Sequence, residues 1–261
     1  MEIAPMQFDK LIREIDGHIV WITLNRPEAL NALHSDLMSQ LREVIEDAGA
    51  NDDVRVVVIR GAGKSWGAGA DLKEQLAMSG ERGAVRRFFS KWHGALDAID
   101  RCPKIVIAAV HGHCFAGSLE LMMSCDLAIA TEDANIGDQH MNFGLPPMGS
   151  ATQRLPRLIG IRRAKELLLS GDWLSGVEAE RLGLVNKVFP AEKFDDAVRA
   201  YAQKFADKNP AAASQIKLLV NHGIQTDQYT GIRFEEMIAL TGTAGGEKGV
   251  AAFNKKEKPD F

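Results

Sequence analysis

Apolar residues in the first half of this chain fall in short runs that alternate with longer stretches of helical spacing. His18–Leu24 (HIVWITL) is rich in β-branched and aromatic residues, and Asn25-Arg26-Pro27 ends it, because proline lacks a ladder donor and restricts the residue before it. From about Ser35, Leu37, Leu41, Val44 and Ile45 recur at spacings of three and four, which predicts a helix. Val54–Ile59 (VRVVVI) predicts a second strand, buried on both faces because it is almost continuously apolar. Further strands are expected over Lys104–Val110 and Asp126–Ala130, with helices over about Glu81–Ile99 and from Gly117. Strands separated by helices predict parallel pairing in an α/β core. After Gly149 the spacing turns helical, around Thr152–Ser170, Ser175–Arg181, Phe194–Asp207 and Ala211–Val220.

Composition narrows the class. With 46% hydrophobic and 25% charged residues in 261, the chain fits a globular protein with one main unit and a tail. A net charge of −4 supplies no basic field for nucleic acid, so no such partner is expected. Apolar runs such as Ile105–Val110 are far shorter than a bilayer needs, so no membrane partner is expected either. The opening MEIAPMQFDK has no apolar segment of the secretory kind, and Cys102, Cys114 and Cys125 are irregularly spaced. Both features predict a reducing, cytoplasmic location.

Two glycine-rich elements carry the candidate chemistry. The first, GAGKSWGAGAD, imitates nucleotide loops and fails their spacing. Val58 stands where a phosphate loop ending in Gly63-Lys64-Ser65 needs glycine, and Leu72 stands where a dinucleotide fingerprint from Gly67 and Gly69 needs one. What remains is a run of small residues, Gly67 to Ala70, that leaves backbone N–H groups accessible after a buried strand. A merely tight strand-to-helix turn would read the same way.

The second element is HGHCFAGSLELMMSCD, where Ala116, Gly117 and Ser118 open a helix with apolar Leu119, Leu121, Met122 and Met123. Glu120 sits among them. A carboxyl group there has a raised pKa suited to acid/base work, a structural hydrogen-bond partner, or a solvent-facing place on the helix. Both elements follow strands at their carboxyl ends, where open α/β sheets bind ligands. Backbone donors converging from two such loops onto one oxygen would stabilise an enolate or a tetrahedral intermediate.

The chain resembles the crotonase superfamily, the enoyl-CoA hydratase/isomerase family. The motifs that carry the resemblance are LNRPEALNAL at 24–33, GAGADLKE at 67–74, GSLELMMSCDLAIA at 117–130, FGLPPMGSATQRLPRLIG at 143–160, SGVEAERLGLVNKV at 175–188 and a terminal FNKKEKPDF. The resemblance implies an α/β crotonase fold, a spiral of ββα units over residues 1–195. A C-terminal helical region at 196–261 would assemble a homotrimer or a dimer of trimers. It further implies an acyl-CoA thioester substrate and no prosthetic group, coenzyme A entering as part of the substrate. Ala70 and Gly117 match the oxyanion-hole positions. Ala68, Ala70, Asp71, Leu72, Lys73 and Gly117 match positions along the coenzyme A path, and Phe253 and Lys256 match tail positions that reach the adenine end.

Hydratases of this family handle water with two glutamates. Glu120 matches the first. Counting back from TQRL at 152–155 puts His140 at the second, so the sequence departs from the pattern there. His140 either carries protons or shapes the acyl pocket. An extended backbone would place Asp138 on the same face, where it would orient His140 or act itself. The acyl pocket is expected between Gln75 and Trp92.

The implied reaction is reversible hydration of a 2-trans-enoyl-CoA. The His140 departure keeps isomerase, decarboxylase, thioester hydrolase and retro-aldol lyase readings open beside it, together with a noncatalytic acyl-CoA binder. His111, His113 and Cys114 have no second cluster at ligand spacing, so no metal is expected. Arg154, Arg157, Arg162, Arg163 and Lys165 are expected to form a solvated face and subunit contacts rather than a nucleic-acid site.

Overall fold

The computed structural model describes residues 8–78 and 80–261. Residues 1–7 of the opening segment, and Ser79 in the stretch expected to line the acyl pocket, lie outside them. In chain order the strands are β1 (Leu11–Asp16), β2 (Ile19–Leu24), β3 (Val56–Gly61), β4 (Ile105–Val110), β5 (His113–Phe115), β6 (Leu127–Thr131), β7 (Asn135–Gly137), β8 (Trp173–Ser175) and β9 (Lys187–Phe189). The α-helices of the first half are α1 (Ser35–Ala50), α2 (Leu72–Ala77), α3 (Ala84–Arg101) and α4 (Gly117–Met122). Then follow α5 (Ala151–Ile159), α6 (Ile161–Ser170), α7 (Gly176–Leu182) and α8 (Phe194–Ala206), and finally α9 (Pro210–Gly223), α10 (Gln228–Thr241) and α11 (Gly246–Lys255).

Six strands form one sheet in the order β1-β2-β3-β4-β6-β9, and three form a second in the order β5-β7-β8. In the large sheet only the β1–β2 pair is antiparallel; the successive pairs from β2 to β9 are parallel. Parallel pairing accounts for the apolar runs, since β2 is buried at all six positions and β3 at its first four.

The chain visits the two sheets in turn. β4 leads into β5 and then α4, and β6 leads into β7. One turn earlier, β3 is followed by Gly67, whose parallel bridge to Cys114 stands where a small-sheet strand would lie. This is a spiral of strand, strand and helix. The step between sheets is sharp, and Gly112 makes it at φ +58, where a Cβ would lie 2.0 Å from the carbonyl oxygen of Lys64.

One apolar core lies between the large sheet, α1, α3, α4 and the small sheet. A second, around Trp21, Val58, Ile107 and Ile129, is closed by Phe194, Val198, Ala202 and Ala206 of α8. Lys217 of α9 ties the C-terminal helices to this frame. Its buried ammonium donates to Asp126 Oδ2 (2.8 Å) and to the carbonyls of Ile99 (2.9 Å) and Lys104 (3.2 Å).

Candidate active site

The Gly67–Ala70 loop is held from both sides. Asn31, fully buried, donates to the carbonyls of Ala62 and Ser65, and its Oδ1 accepts the N–H of Arg26. Arg26 in turn donates to Asp71 Oδ2 at 2.9 Å. Asp71 caps α2 by accepting from the N–H groups of Lys73 and Glu74. Burial pushes the Asp71 carboxyl up, but Arg26 and these donors outweigh it and hold it low. Asp71 is therefore committed to the fold. Ala70, Leu72 and Lys73 remain accessible at the mouth of the loop, with Ala68 beside them.

On the α4 side, Ser118 Oγ accepts the N–H of Gly69 at 3.0 Å. A Cβ on Gly67 would lie 2.3 Å from that oxygen, so the approach requires glycine. The two loops then bring their backbone nitrogens together: a Cβ built on Gly117 would lie 3.3 Å from Ala70 N. Among the described residues, neither the Ala70 nor the Gly117 N–H donates to a protein acceptor. Ala116, at φ 49 and ψ −119, holds a backbone conformation that normally favours glycine and so presents Gly117 N–H toward Ala70.

Glu120 follows three residues on and is 2% exposed. Its Oε1 accepts from Gly149 N–H at 2.8 Å and from Ala151 N–H at 3.0 Å, at the start of α5. Burial pushes its pKa up to about 7 against the pull of these donors, with Asp138 adding to the rise and His140 opposing it. Oε2 accepts no hydrogen bond from the described residues. Gly149 makes room for it, since a Cβ there would lie 2.1 Å from Oε2 and 2.4 Å from Trp92 Nε1.

Trp92 of α3, the last residue of the stretch expected to line the acyl pocket, lies at the site. Its ring lies against Gly117, where a Cβ would come within 2.4 Å of Cη2. Its buried indole N–H has no partner among the described residues. Arg26, Asn31, Ser118, Gly149 and Ala151 were not assigned to the site from the sequence, although the LNRPEALNAL motif holds the first two and FGLPPMGSATQRL the last two.

His140 and Asp138 do come together, but through a turn. β7 stops at Gly137, Gln139 takes φ 62, and His140 opens a 3-10 turn to Phe143. The expected extended alternation is absent there. His140 Nδ1 lies 3.0 and 3.1 Å from the two oxygens of fully buried Asp138, and His140 N–H donates to Oδ1 at 3.2 Å. Burial lowers the His140 pKa, but the Asp138 hydrogen bond and charge, with Glu120 behind them, raise it above its ordinary value of 6.5.

Phe253 and Lys256 lie at the exposed end of α11 and do not join these residues; Lys256 N–H bonds locally to Phe253 O. No metal-binding group of three or more His, Cys, Asp or Glu occurs among the described residues, and no helix there is long and apolar enough to cross a membrane. Burial raises the thiol pKa of both Cys114 and Cys125, which leaves them as unreactive core groups. Two cavities, of about 550 Å³ between α1 and α3 and about 500 Å³ beside Trp21 and α8, lie apart from this chemistry.

Two free backbone donors aimed together, a buried carboxyl beside them and an imidazole held by aspartate can bind a developing oxyanion and move protons around it. The comparisons agree with that chemistry. The Enoyl-CoA hydratase/isomerase family profile matches residues 14–261. A short-chain-enoyl-CoA hydratase of Clostridium acetobutylicum is 36% identical over 231 residues, covering 88% of each chain. A crotonyl-CoA hydratase of Syntrophomonas wolfei is 33% identical over 259 residues, covering 98% of this chain and 99% of its own. The crystal structure of an enoyl-CoA hydratase from Bacillus anthracis superposes with a TM-score of 0.91 at 34% identity, covering 97% of this chain and 98% of that one. The spiral is the crotonase fold, and the chain belongs to the enoyl-CoA hydratase/isomerase family.

Proposed function

We propose that the protein adds water reversibly across the 2,3 double bond of an enoyl-CoA thioester. The observation that carries this reading is the pairing of free Ala70 and Gly117 N–H groups beside the buried carboxyl of Glu120. Donors so placed stabilise the negative charge that reaches the thioester oxygen when a nucleophile adds at C3. They do so without reorganising in the transition state.

Glu120 Oε2 accepts the water proton as the water oxygen bonds to C3, and the electron pair of the double bond moves into the thioester to give the enolate. The enolate collapses by taking a proton at C2 from His140, in place of the second glutamate of the family pattern. A Glu120 carboxyl poised at about 7 suits an exchange at neutral pH.

The coenzyme A portion enters past Ala68, Ala70, Leu72 and Lys73, with Phe253 and Lys256 completing the adenine end from a neighbouring copy. The exposed apolar face of the C-terminal helices, including Ile216, Val220, Ile224, Met237 and Leu240, supports assembly through residues 196–261 as a trimer or a pair of trimers. A role in fatty-acid metabolism fits a reaction on enoyl-CoA thioesters, and the irregularly spaced cysteines fit a reducing, cytoplasmic setting.

The test is loss of the enoyl-thioester absorbance when purified protein meets crotonyl-CoA and longer enoyl-CoAs. Hydration predicts loss with a hydroxyacyl-CoA product. Unchanged absorbance across the panel refutes it.

A further inference from the structure

We propose that Asp138 is a positioning residue that fixes His140 in one tautomer, so that Nε2 exchanges protons at the site and the Asp138–His140 pair replaces the family's second glutamate. The inference rests on the hydration reading and deepens it.

The observation is a buried carboxylate with one side-chain partner. Asp138 is 0% exposed, and among the described residues its oxygens meet only the N–H and the ring Nδ1 of His140. Among the described residues no Lys or Arg reaches it. Carboxylate oxygens offer only lone pairs, and two bare acceptors 3.0 Å apart repel, so the Nδ1 that faces them carries hydrogen. In the neutral ring the lone pair then falls on Nε2, which has no described partner, and in the charged ring Nε2 holds the transferable proton.

The turn that presents the ring is itself clamped. Gln139 Nε2 and Asn142 Nδ2 both donate to the carbonyl of Gly171, at 2.7 and 2.8 Å. Gly171 admits no side chain, since a Cβ would lie 2.4 Å from Asn142 Oδ1. Other charges stand off: Arg162, Arg163, Lys165 and Glu166 of the adjoining α6, and Asp172, are all exposed. The charged groups that act on His140 are Asp138 by contact and Glu120 from α4.

In the hydration direction the charged ring gives its Nε2 proton to C2 while Glu120 takes one from water. The ring ends neutral, Nδ1–H stays on Asp138 throughout, and the proton on Glu120 returns to Nε2 through water before the next turnover. One proton is shared between Glu120 and the dyad, so activity falls when both hold one and when neither does.

The test compares the wild type, Asp138→Asn, His140→Glu and the double variant. Asp138→Asn is expected to lower kcat about 10- to 100-fold with little change in KM, the usual cost of losing such a support. The alkaline limb of its pH profile is expected to move to lower pH, because the ring has lost its charge partner. In the His140→Glu background, which restores two glutamates, Asp138→Asn has no ring to release and is expected to cause no further loss. An equal loss in both backgrounds, or an alkaline limb that does not move, overturns the proposal. Imidazole 15N shifts of the wild type, assigned with His140→Gln, test the dyad even if Asp138→Asn does not fold. A single neutral tautomer bearing Nδ1–H is expected, and the other tautomer or a mixture overturns the proposal. A wild type that hydrates no enoyl-CoA yet shows that single tautomer overturns the hydration reading alone.

Discussion

Replacing Glu120 with Gln separates what this carboxyl does for chemistry from what it costs the fold. Its pKa rises from the ordinary 4.5 to about 7 on folding, chiefly through burial. At ~1.4 kcal/mol per pH unit, holding the charged form inside costs about 3 kcal/mol. The sign follows from the direction of the shift. The folded protein prefers the protonated carboxyl, so the group's contribution is fully present below pH 4.5 and is lost as pH rises through about 7. Gln keeps the Oε1 acceptor for Gly149 N–H and Ala151 N–H and carries no charge. Glu120→Gln should therefore melt about 6 to 12 °C above the wild type at alkaline pH, at ~2 to 4 °C per kcal/mol for a chain of this size. At about pH 4.5 to 5 the two should nearly coincide. Turnover should fall at least ~100-fold, since no proton carrier remains at that position. The assay is thermal unfolding at matched protein concentration on both sides of neutrality, alongside hydratase rates. A melting difference that is the same at both pH values, or a variant less stable at alkaline pH, would refute the reasoning.

Gly117→Ala places a methyl 2.4 Å from Trp92 Cη2 and beside Ala70 N, so it should cut kcat by about 100- to 1000-fold, read in steady-state kinetics on a fold confirmed by circular dichroism. Gly149→Ala drives a methyl into Glu120 Oε2 and should lower kcat together with the stability gained from the two N–H donors; thermal melts and rates measure both. Lys217→Met leaves Asp126 buried without its cation and should cost about 3 to 5 kcal/mol in urea unfolding.

Burial of whole strands was legible because β2, β3 and β4 are continuous apolar runs. β5, β7, β8 and β9 were not, since three residues each are too few to show a period. The β7–β8 pairing depends on Gly137 letting the backbone of Asp172 and Trp173 approach, which a single glycine in a sequence does not announce. The candidate site was legible where smallness was the signal, at Gly67 to Ala70 and at Gly117, and where a carboxyl interrupted an apolar helix at Glu120. Trp92 was legible only as the end of the stretch expected to line the acyl pocket, because helical spacing also matches ordinary core packing. The contact between Asp138 and His140 was anticipated for a reason the fold does not use, since Gln139 in the left-handed region, not strand alternation, turns the two side chains together.

The central claim is that the paired Ala70 and Gly117 donors and Glu120 serve water addition to an enoyl-CoA. Mass spectrometry of the thioester after incubation in 18O-enriched water tests it most directly. The account predicts that crotonyl-CoA or a longer enoyl-CoA gains one labelled water with the thioester intact, and that Glu120→Gln abolishes the gain. A released carboxylic acid bearing the label, or a substrate whose mass never changes, would contradict it.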